Sequence, residues 1–374
     1  MTSQTDVTDV NAASDTASEI PPCPLSLDFP YAWGGPAGTA QLRAKPEDFQ
    51  VEELLGFEPE GEGEHHFLWI RKVGNNTDWV ARHLARFTNV SYSAVAYSGL
   101  KDRHAVTEQW FSVHIPGLIT PDWSQFCVEG VEILKAIRHR KKLKRGVHRA
   151  NKFRICLRNF QGDRDAAEQR LDHIATQGVP NYFGEQRFGR NGNNLNKAWQ
   201  RVATGQSLKL SKRDKDNKAM LLSSLRSWLF NRVLAERIEQ KNWNQWLAGD
   251  IATFSGSRSQ FNVESGDQEL QTRLQEGSVH PTGPMWGAGE ARITEEVLTL
   301  EQQVASAYPE VIEGIASAGL NHERRGLRLI PEHLHWDWQE QDLTLSFVLP
   351  AGAFATSVLR ELVDWQGVEI ELSE

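Results

Sequence analysis

Cysteine is scarce and scattered. Cys23, Cys127 and Cys156 are the only three in 374 residues. With no CxxC pair to hold zinc and no even-numbered framework for disulfides, they read as reduced thiols. Histidine offers no metal site either: HExxH is missing, and the close pairs His65–His66 and His333–His335 lack the i,i+4 spacing and surrounding carboxylates that a metal needs. Long apolar runs are also missing. No uninterrupted stretch nears the roughly 20 residues that cross a bilayer, and the N-terminus lacks the basic and apolar regions of a signal peptide. No membrane partner is expected, and the cytoplasm is the default compartment. The pieces GFEPEGEGEHH and WGAGEAR contain GxG, but neither follows a clear strand and opens a helix. A Walker lysine pattern and a G-x-S-x-G elbow are absent, so no small-molecule cofactor is expected.

What is present suits a folded protein of two ordinary domains: 39% of residues are hydrophobic, with 13 Trp and 16 Phe to fill cores. The formal charge of −8 is unevenly spread. Asp6, Asp9, Asp15, Glu19 and Asp28 fall in the first thirty residues without one Lys or Arg, leaving the remainder at −3. From Ile133 to Gly162 the balance inverts, with eleven Lys or Arg and no acid. Such a stripe, interleaved with apolar residues, fits a phosphate-binding surface better than an ordinary solvated face. A second basic stretch runs from Arg187 to Lys218, with nine Lys or Arg against Asp214 and Asp216.

The Ser-, Thr-, Asp- and Ala-rich start, ending near Pro21–Pro22, reads as a disordered tail, drawn at residues 1–28. PEDFQVEELL suggests a strand after a turn at Pro46. Thr77 and Asp78 offer N-caps for a helix through WVARHLARF. SAVAYSG and LKDRHAVTEQWFSVHIP read as strands broken at Gly99, which places Asp102 in a loop. NKFRICLRNF is a further strand, and AAEQRLDHIAT a helix stopped by Gly178 and Pro180. After Pro180 the style changes to a Gly- and Asn-rich loop, a long helix from about Lys218 to Gln240, loops over Phe254–Gly266 and Pro281–Gly289, and two helices through Leu298 and Ile312. The end returns to the first style with a strand DLTLSFVLP, an AGA turn and a helix TSVLRELVDW. A discontinuous domain from 29–176 and 328–374, interrupted by a middle domain over 177–327, is therefore expected.

Candidate chemistry is sparse. Asp102 sits between Lys101 and Arg103 on a loop, which could present a carboxylate to a ligand, although spacing alone favours a solvated turn. Asn151 and Phe153 alternate to one face of a strand, where an amide and a ring could read and stack a nucleobase. The plainer reading makes Phe153 core and Asn151 a turn residue. Phe49 and Phe354 carry the same ambiguity.

Taken in order, RAKPEDFQVEE, GFEPEGEGEHH, YSGLKDRHAVTEQWFS, RANKFRICLR, VPNYFGEQRFG and LPAGAFATSVLREL resemble the TruD family of tRNA pseudouridine synthases from about Leu42 to Leu362. The resemblance implies an α+β fold. In it, a catalytic domain with a mixed sheet is built from both chain ends, and the family's own α/β domain is inserted between them. It implies that Asp102, in the G-x-K-D-R motif, is the nucleophile, and that Arg43, where the family often has Lys, pairs with it. Phe49, Asn151, Phe153 and Phe354 then lie at the substrate, flanked by Lys101 and Arg103. Phe153 stands where other pseudouridine synthases place Tyr, and having no ionisable proton it can stack but cannot act as a base.

The implied partner is tRNA, at a D-arm uridine, position 13. The implied reaction moves the glycosidic bond from N1 to C5 of one base, so atoms are conserved and no cofactor or metal is needed. A carboxylate attack at C1′, an attack at C6 and assistance to proton removal from the sugar are all compatible with it. A monomer is the default expectation. Two rivals have other chemistry: a non-catalytic tRNA-binding folding chaperone, and a glycoside hydrolase, for which a second carboxylate is lacking.

Overall fold

In this computed structural model, residues 22–117, 119–209, 215–257, 259–264 and 266–367 are described. The first half of the chain supplies seven strands: β1 (Gly38–Leu42), β2 (Phe49–Leu54), β3 (His65–Lys72), β4 (Val95–Tyr97), β5 (Val106–His114), β6 (Val131–His139) and β7 (Ala150–Gly162). Two helices accompany them, α1 (Thr77–Phe87) and α2 (Arg164–Gln177). The central part contains β8 (Val179–Pro180), α3 (Asn193–Ala203), α4 (Lys215–Glu239), β9 (Ile251–Phe254), β10 (Gln260–Asn262), α5 (Gln268–Gln275), β11 (Val279–Met285), α6 (Glu295–Ser306), α7 (Pro309–Ser317), β12 (Glu323–Gly326) and β13 (Arg328–Leu329). The chain closes with β14 (Glu332–Gln339), β15 (Asp342–Pro350), α8 (Ala355–Leu359) and β16 (Val363–Gly367).

Both ends of the chain build one ten-stranded mixed sheet. Its main path runs β14-β15-β7-β2-β5-β3-β6, with β1 joined to β7 and β16, and β4 joined to β5. The central part makes a separate four-stranded sheet, β10-β9-β11-β12. A two-stranded ribbon links the two units, because β8 and β13 pair where the chain leaves the large sheet and returns to it, Val179 opposite Leu329 and Pro180 opposite Arg328. α2 stops at this neck because Gly178 adopts a φ of 78°, a conformation that glycine takes without steric cost.

Period-two alternation sets which side chains share a face of the large sheet. Glu53 lies opposite Asn151 and Val51 opposite Phe153. Leu349 and Phe347 continue those two rows on the other side of β7. Val51 also pairs with Thr107, and Thr107 with Lys72. At the β7–β15 end of this face, α2 and α8 contribute Leu171, Ile174, Val358 and Leu359 to a core with Phe153, Ile155 and Leu157. At the β3–β5 end, α1 buries Val80, Ala81 and Leu84 against Leu68, Ile70 and Phe111. Between these two cores Glu53, Lys72, Thr107, Gln109 and Asn151 form a buried polar seam. Buried polar groups need partners, so the seam is where a specific network is required.

Four local expectations are corrected. The C-terminal helix through TSVLRELVDW ends at Leu359, and Val363–Gly367 instead pairs parallel with β1; burial of Leu362 and Val363 outweighs helical propensity. Pro281–Met285 is strand, not loop. The strand tolerates proline because it divides its pairing, Val279–Pro281 to β9 and Thr282–Met285 to β12. The residue capping α1 is Asn76, without a side-chain bond to the helix, while the Thr77 hydroxyl is engaged elsewhere. The expected tail lies outside the described residues up to residue 21, but the rest of it is packed. Leu25 is buried in the core of the central unit with Phe29, and Trp228 Nε1 donates to the Ser26 carbonyl at 2.7 Å.

Candidate active site

The loop over residues 98–105 enters β5 and is fastened to the polar seam at each turn. Gln109 Nε2 donates to the Gly99 carbonyl at 3.1 Å, and the Thr77 hydroxyl accepts the Lys101 backbone N–H at 3.1 Å. The same hydroxyl donates to Gln109 Oε1 at 2.9 Å, so one buried Thr–Gln pair holds two loop residues. Lys101 turns inward, its Nζ 2.8 Å from the buried Glu53 carboxylate, whose other oxygen accepts the Trp110 N–H at 3.2 Å. Arg103 turns the other way, its Nε donating to the Gly74 carbonyl at 3.0 Å. Beneath the loop, Lys72 is fully buried and its Nζ donates to the carbonyls of Asn75 at 2.8 Å and Asp102 at 3.0 Å. Burial pulls the Lys72 pKa down to about 8; Asp102 opposes that shift and Lys101 adds to it.

This fastening presents Asp102. Its Oδ1 accepts the His104 N–H at 3.0 Å, and its Oδ2 lies 2.8 Å from Arg43 Nη2, with both side chains about a quarter exposed. Arg43 directly follows β1 and takes a φ of 61°, which costs a non-glycine residue about 1–3 kcal/mol and is typical of functional sites. Its guanidinium lies over the Phe49 ring, 4.3 Å from the centroid. Phe49 meets Phe153 edge to face at 6.2 Å, and Phe153 stacks on Phe347 at 5.4 Å. The structure thus brings Asp102, Arg43, Phe49 and Phe153 together, with Lys101 bound to Glu53 alongside. Both Phe49 and Phe153 are buried members of the sheet core. Asn151 lies in strand β7, not in a turn, beside Glu53 in register. Phe354 stands apart at the seam between the units, where it packs on Phe183 at 6.1 Å.

A cleft of about 1030 Å³ runs along that seam, lined from one side by His148, Arg149 and Pro350–Ala353 and from the other by Arg187, Arg324, Arg325 and Arg328. Burial draws the Arg325 pKa down to about 10, with Arg187 adding to the shift, and draws Arg328 to about 10. Cations held at such a cost favour an anionic ligand that offsets the desolvation. Arg325 also bridges the two units, bonded to Asn181 Oδ1 at 2.6 Å and to the Gly352 carbonyl at 3.2 Å. Of the basic stripe, Arg149 lines this cleft directly. Lys141, Lys144 and Arg145 are exposed on the turn between β6 and β7 that ends at His148.

Lys72, Glu53, Thr77 and His148 escape a reading by motif. For Lys72 a signal does exist, since it occupies the inward register of β3 after His66, Leu68 and Ile70, and a lysine pointing into a core is uncommon. Among the described residues, no group of three or more His, Cys, Asp or Glu is arranged to hold a metal ion, and no helix is long and apolar enough to cross a membrane.

The family model for tRNA pseudouridine synthase D (TruD) matches the chain over residues 29–198 and 198–362. The chain is 42% identical over 345 residues to the tRNA pseudouridine synthase D of Hydrogenovibrio crunogenus, covering 92% of this chain and 98% of that one. It is 47% identical over 333 residues to that of Aeromonas salmonicida, covering 89% and 93%. A crystal structure from Methanosarcina mazei assigned as tRNA pseudouridine synthase D superposes with a TM-score of 0.67 at 23% identity, covering 89% of this chain and 95% of that one. At that identity the likeness carries the fold.

Proposed function

The chain belongs to the tRNA pseudouridine synthase D (TruD) family and is an isomerase that forms pseudouridine in tRNA, and from this premise we propose that Asp102 is its nucleophile and a D-arm uridine, position 13, its target. The observation that carries the assignment is the Arg43–Asp102 pair, held at 2.8 Å on a loop that buried partners fasten from beneath. A carboxylate so fixed loses little freedom when it attacks, which is how positioning lowers a barrier. Arg43 stabilises the carboxylate before attack and after release, and its guanidinium is itself kept in place by the Phe49 ring.

The reaction breaks the N1–C1′ bond, turns the uracil and forms a C5–C1′ bond. The C5 proton leaves and N1 gains one, so the overall change is an isomerisation. The target base must first leave its stack, and the edges of Phe49 and Phe153 with the Asn151 amide offer the receiving surface. Phosphates on either side of the base are met by the arginines of the cleft and by the exposed turn 140–149. On this reading the enzyme acts as a monomer without metal or cofactor, in the cytoplasm, where its substrate is found. The domain assignment proposed is a catalytic unit from both chain ends and an inserted unit over 177–327, joined at the β8–β13 ribbon.

The test is pseudouridine mapping of total tRNA from cells lacking the protein and restored with wild type or with Asp102→Ala. One D-arm pseudouridine is expected to disappear and to return with wild type alone. Its return with Asp102→Ala would remove Asp102 as nucleophile, and an unchanged map would remove the target.

A further inference from the structure

The rim of the cleft continues onto a surface that the proposed reaction leaves unused. His148 and Arg149 line the cleft, and the basic turn that leads to them is fastened to residues 93–98. Lys142 Nζ donates to the Ser93 carbonyl at 2.6 Å, the Gly146 N–H to the Ser98 carbonyl at 2.6 Å, and Arg145 Nη2 to the Tyr97 hydroxyl at 3.4 Å. The turn thus abuts β4 and, through it, the outer face of α1. Two large aromatic side chains are exposed there, Trp79 on α1 at 39% and Tyr92 just before β4 at 45%.

Neither ring is loose. The Tyr92 hydroxyl donates to Asp78 Oδ1 at 3.0 Å, and the Tyr97 hydroxyl donates to the same oxygen. The bond from Tyr97 lowers the Asp78 pKa most; burial opposes it, and Tyr92, Arg82 and Arg145 add to the lowering. That carboxylate is therefore already matched by its neighbours. Trp79 packs on His83 with ring centroids 3.8 Å apart. Arg82, one helical turn from both Asp78 and Trp79, places its guanidinium 5.9 Å from the Tyr92 ring centroid. Fixing exposed rings costs side-chain freedom and removes little apolar surface from water, so folding alone is a weak reason for the arrangement. A pre-ordered ring with a guanidinium beside it is what a splayed nucleobase stacks on.

We infer that Trp79 and Tyr92 form a stacking platform for unpaired bases of the RNA, at a distance from its target uridine. α1 meets the nucleophile loop through Thr77, whose hydroxyl accepts the Lys101 N–H, so the platform flanks the site without belonging to it. Arg82 and Arg86 are exposed on the same helix and meet the phosphates of the stacked segment. These cations, continuous with the basic turn, favour RNA over a protein as the occupant. The identity of that RNA rests on the proposed function, to which the platform adds a second point of grip.

The experiment measures the tRNA Kd of the full chain across a salt series, with the urea midpoint followed in each variant and pseudouridine formation assayed in the wild type. Trp79→Ala and Tyr92→Ala are each expected to raise Kd about fivefold or more, by the same factor at every salt, because stacking releases no counterions. Trp79→Phe keeps a ring and should recover most of the affinity. Arg82→Gln should instead lower the slope of log Kd against log salt by roughly 0.7–0.9. Where Tyr92→Ala, which loses the bond to Asp78, lowers the urea midpoint, Trp79→Ala carries the test. An unchanged Kd in the alanine variants overturns the inference and leaves the face to a protein partner. A weakening that disappears at high salt overturns it too, since the rings would then act only by placing charge. A wild type that binds tRNA through these rings yet forms no pseudouridine in it would overturn the proposed function alone.

Discussion

The buried ammonium of Lys72 donates to the backbone carbonyl of Asp102 at 3.0 Å, so the residue that presents the carboxylate is tied to the sheet by a cation with no access to water. The tie acts on the main chain, while Arg43 acts on the side chain. Two cations thus hold one residue at two points.

Replacing Lys72 by Met removes the lower of them. Turnover is expected to fall by about 10- to 100-fold, in line with the roughly 1.5–3 kcal/mol carried by a charged hydrogen bond, while the Kd for tRNA changes little. Single-turnover kinetics with hydrogen exchange over residues 98–105 checks this. Unaltered exchange together with full turnover would show that the tie is dispensable.

The pH dependence of Lys72 has two opposite signs. Its pKa is lowered to about 8, so the ammonium is intact below that pH, and turnover is expected to decline as pH rises through about 8. Stability moves the other way. Between about pH 8 and the roughly 10.4 of an unfolded lysine, the unfolded chain binds the extra proton, so this group's contribution to stability rises with pH. Both trends should be absent from Lys72→Met when rate and urea midpoint are followed across that range.

For Asp102→Asn, kcat is expected to drop by at least about a thousandfold, as for other enzymes that lose a nucleophile. The tRNA Kd should stay within about threefold, since binding rests mainly on phosphate contacts. Filter binding beside a tritium-release assay separates the two effects. Substantial turnover by this variant would sink the nucleophile assignment.

Charge on the turn between β6 and β7 should govern salt sensitivity. Changing Lys141, Lys144 and Arg145 to Gln is expected to lower the slope of log Kd against log salt by about 2–3, from roughly 0.7–0.9 per phosphate contact. Saturating turnover should not change. A slope equal to that of wild type would place the RNA elsewhere.

In the central part of the chain, Arg237 meets Asp250 at 2.9 Å with both side chains buried. Arg237→Leu strands a buried carboxylate and is expected to cost about 3–5 kcal/mol. Arg71, half-exposed beside Glu108 and Glu132, should cost under about 1 kcal/mol when changed to Leu. Urea unfolding measures both, and equal costs would contradict this account of burial.

Much of this organisation is legible in the sequence because alternation and turn residues fix it locally. Phe153, Ile155 and Leu157 announce β7, Gly178 announces the end of α2, and the break at Gly99 announces the Asp102 loop. What is not legible depends on partners distant along the chain. Thr77 has the composition of a helix cap, yet its hydroxyl serves a loop some twenty residues later. Val363–Gly367 continues a helical pattern until β1 offers it a strand partner. Asn151 is buried because β2 and β15, from opposite ends of the chain, flank it in register.

The pairing of β1 with β16 bears on how the protein is made. β1 waits for β16, more than three hundred residues later, and Ala32 and Trp33 wait for the Glu361 carboxylate that accepts their N–H groups. A ribosome still holding residues 359–367 in its tunnel cannot let that sheet close. The central part, whose described residues form four strands and five helices between residues 193 and 326, precedes that segment in the chain. Closure of the large sheet therefore waits for residues 363–367 to leave the tunnel, and removing those residues should leave β1 without its parallel partner and yield an unfinished sheet rather than a slightly shortened one.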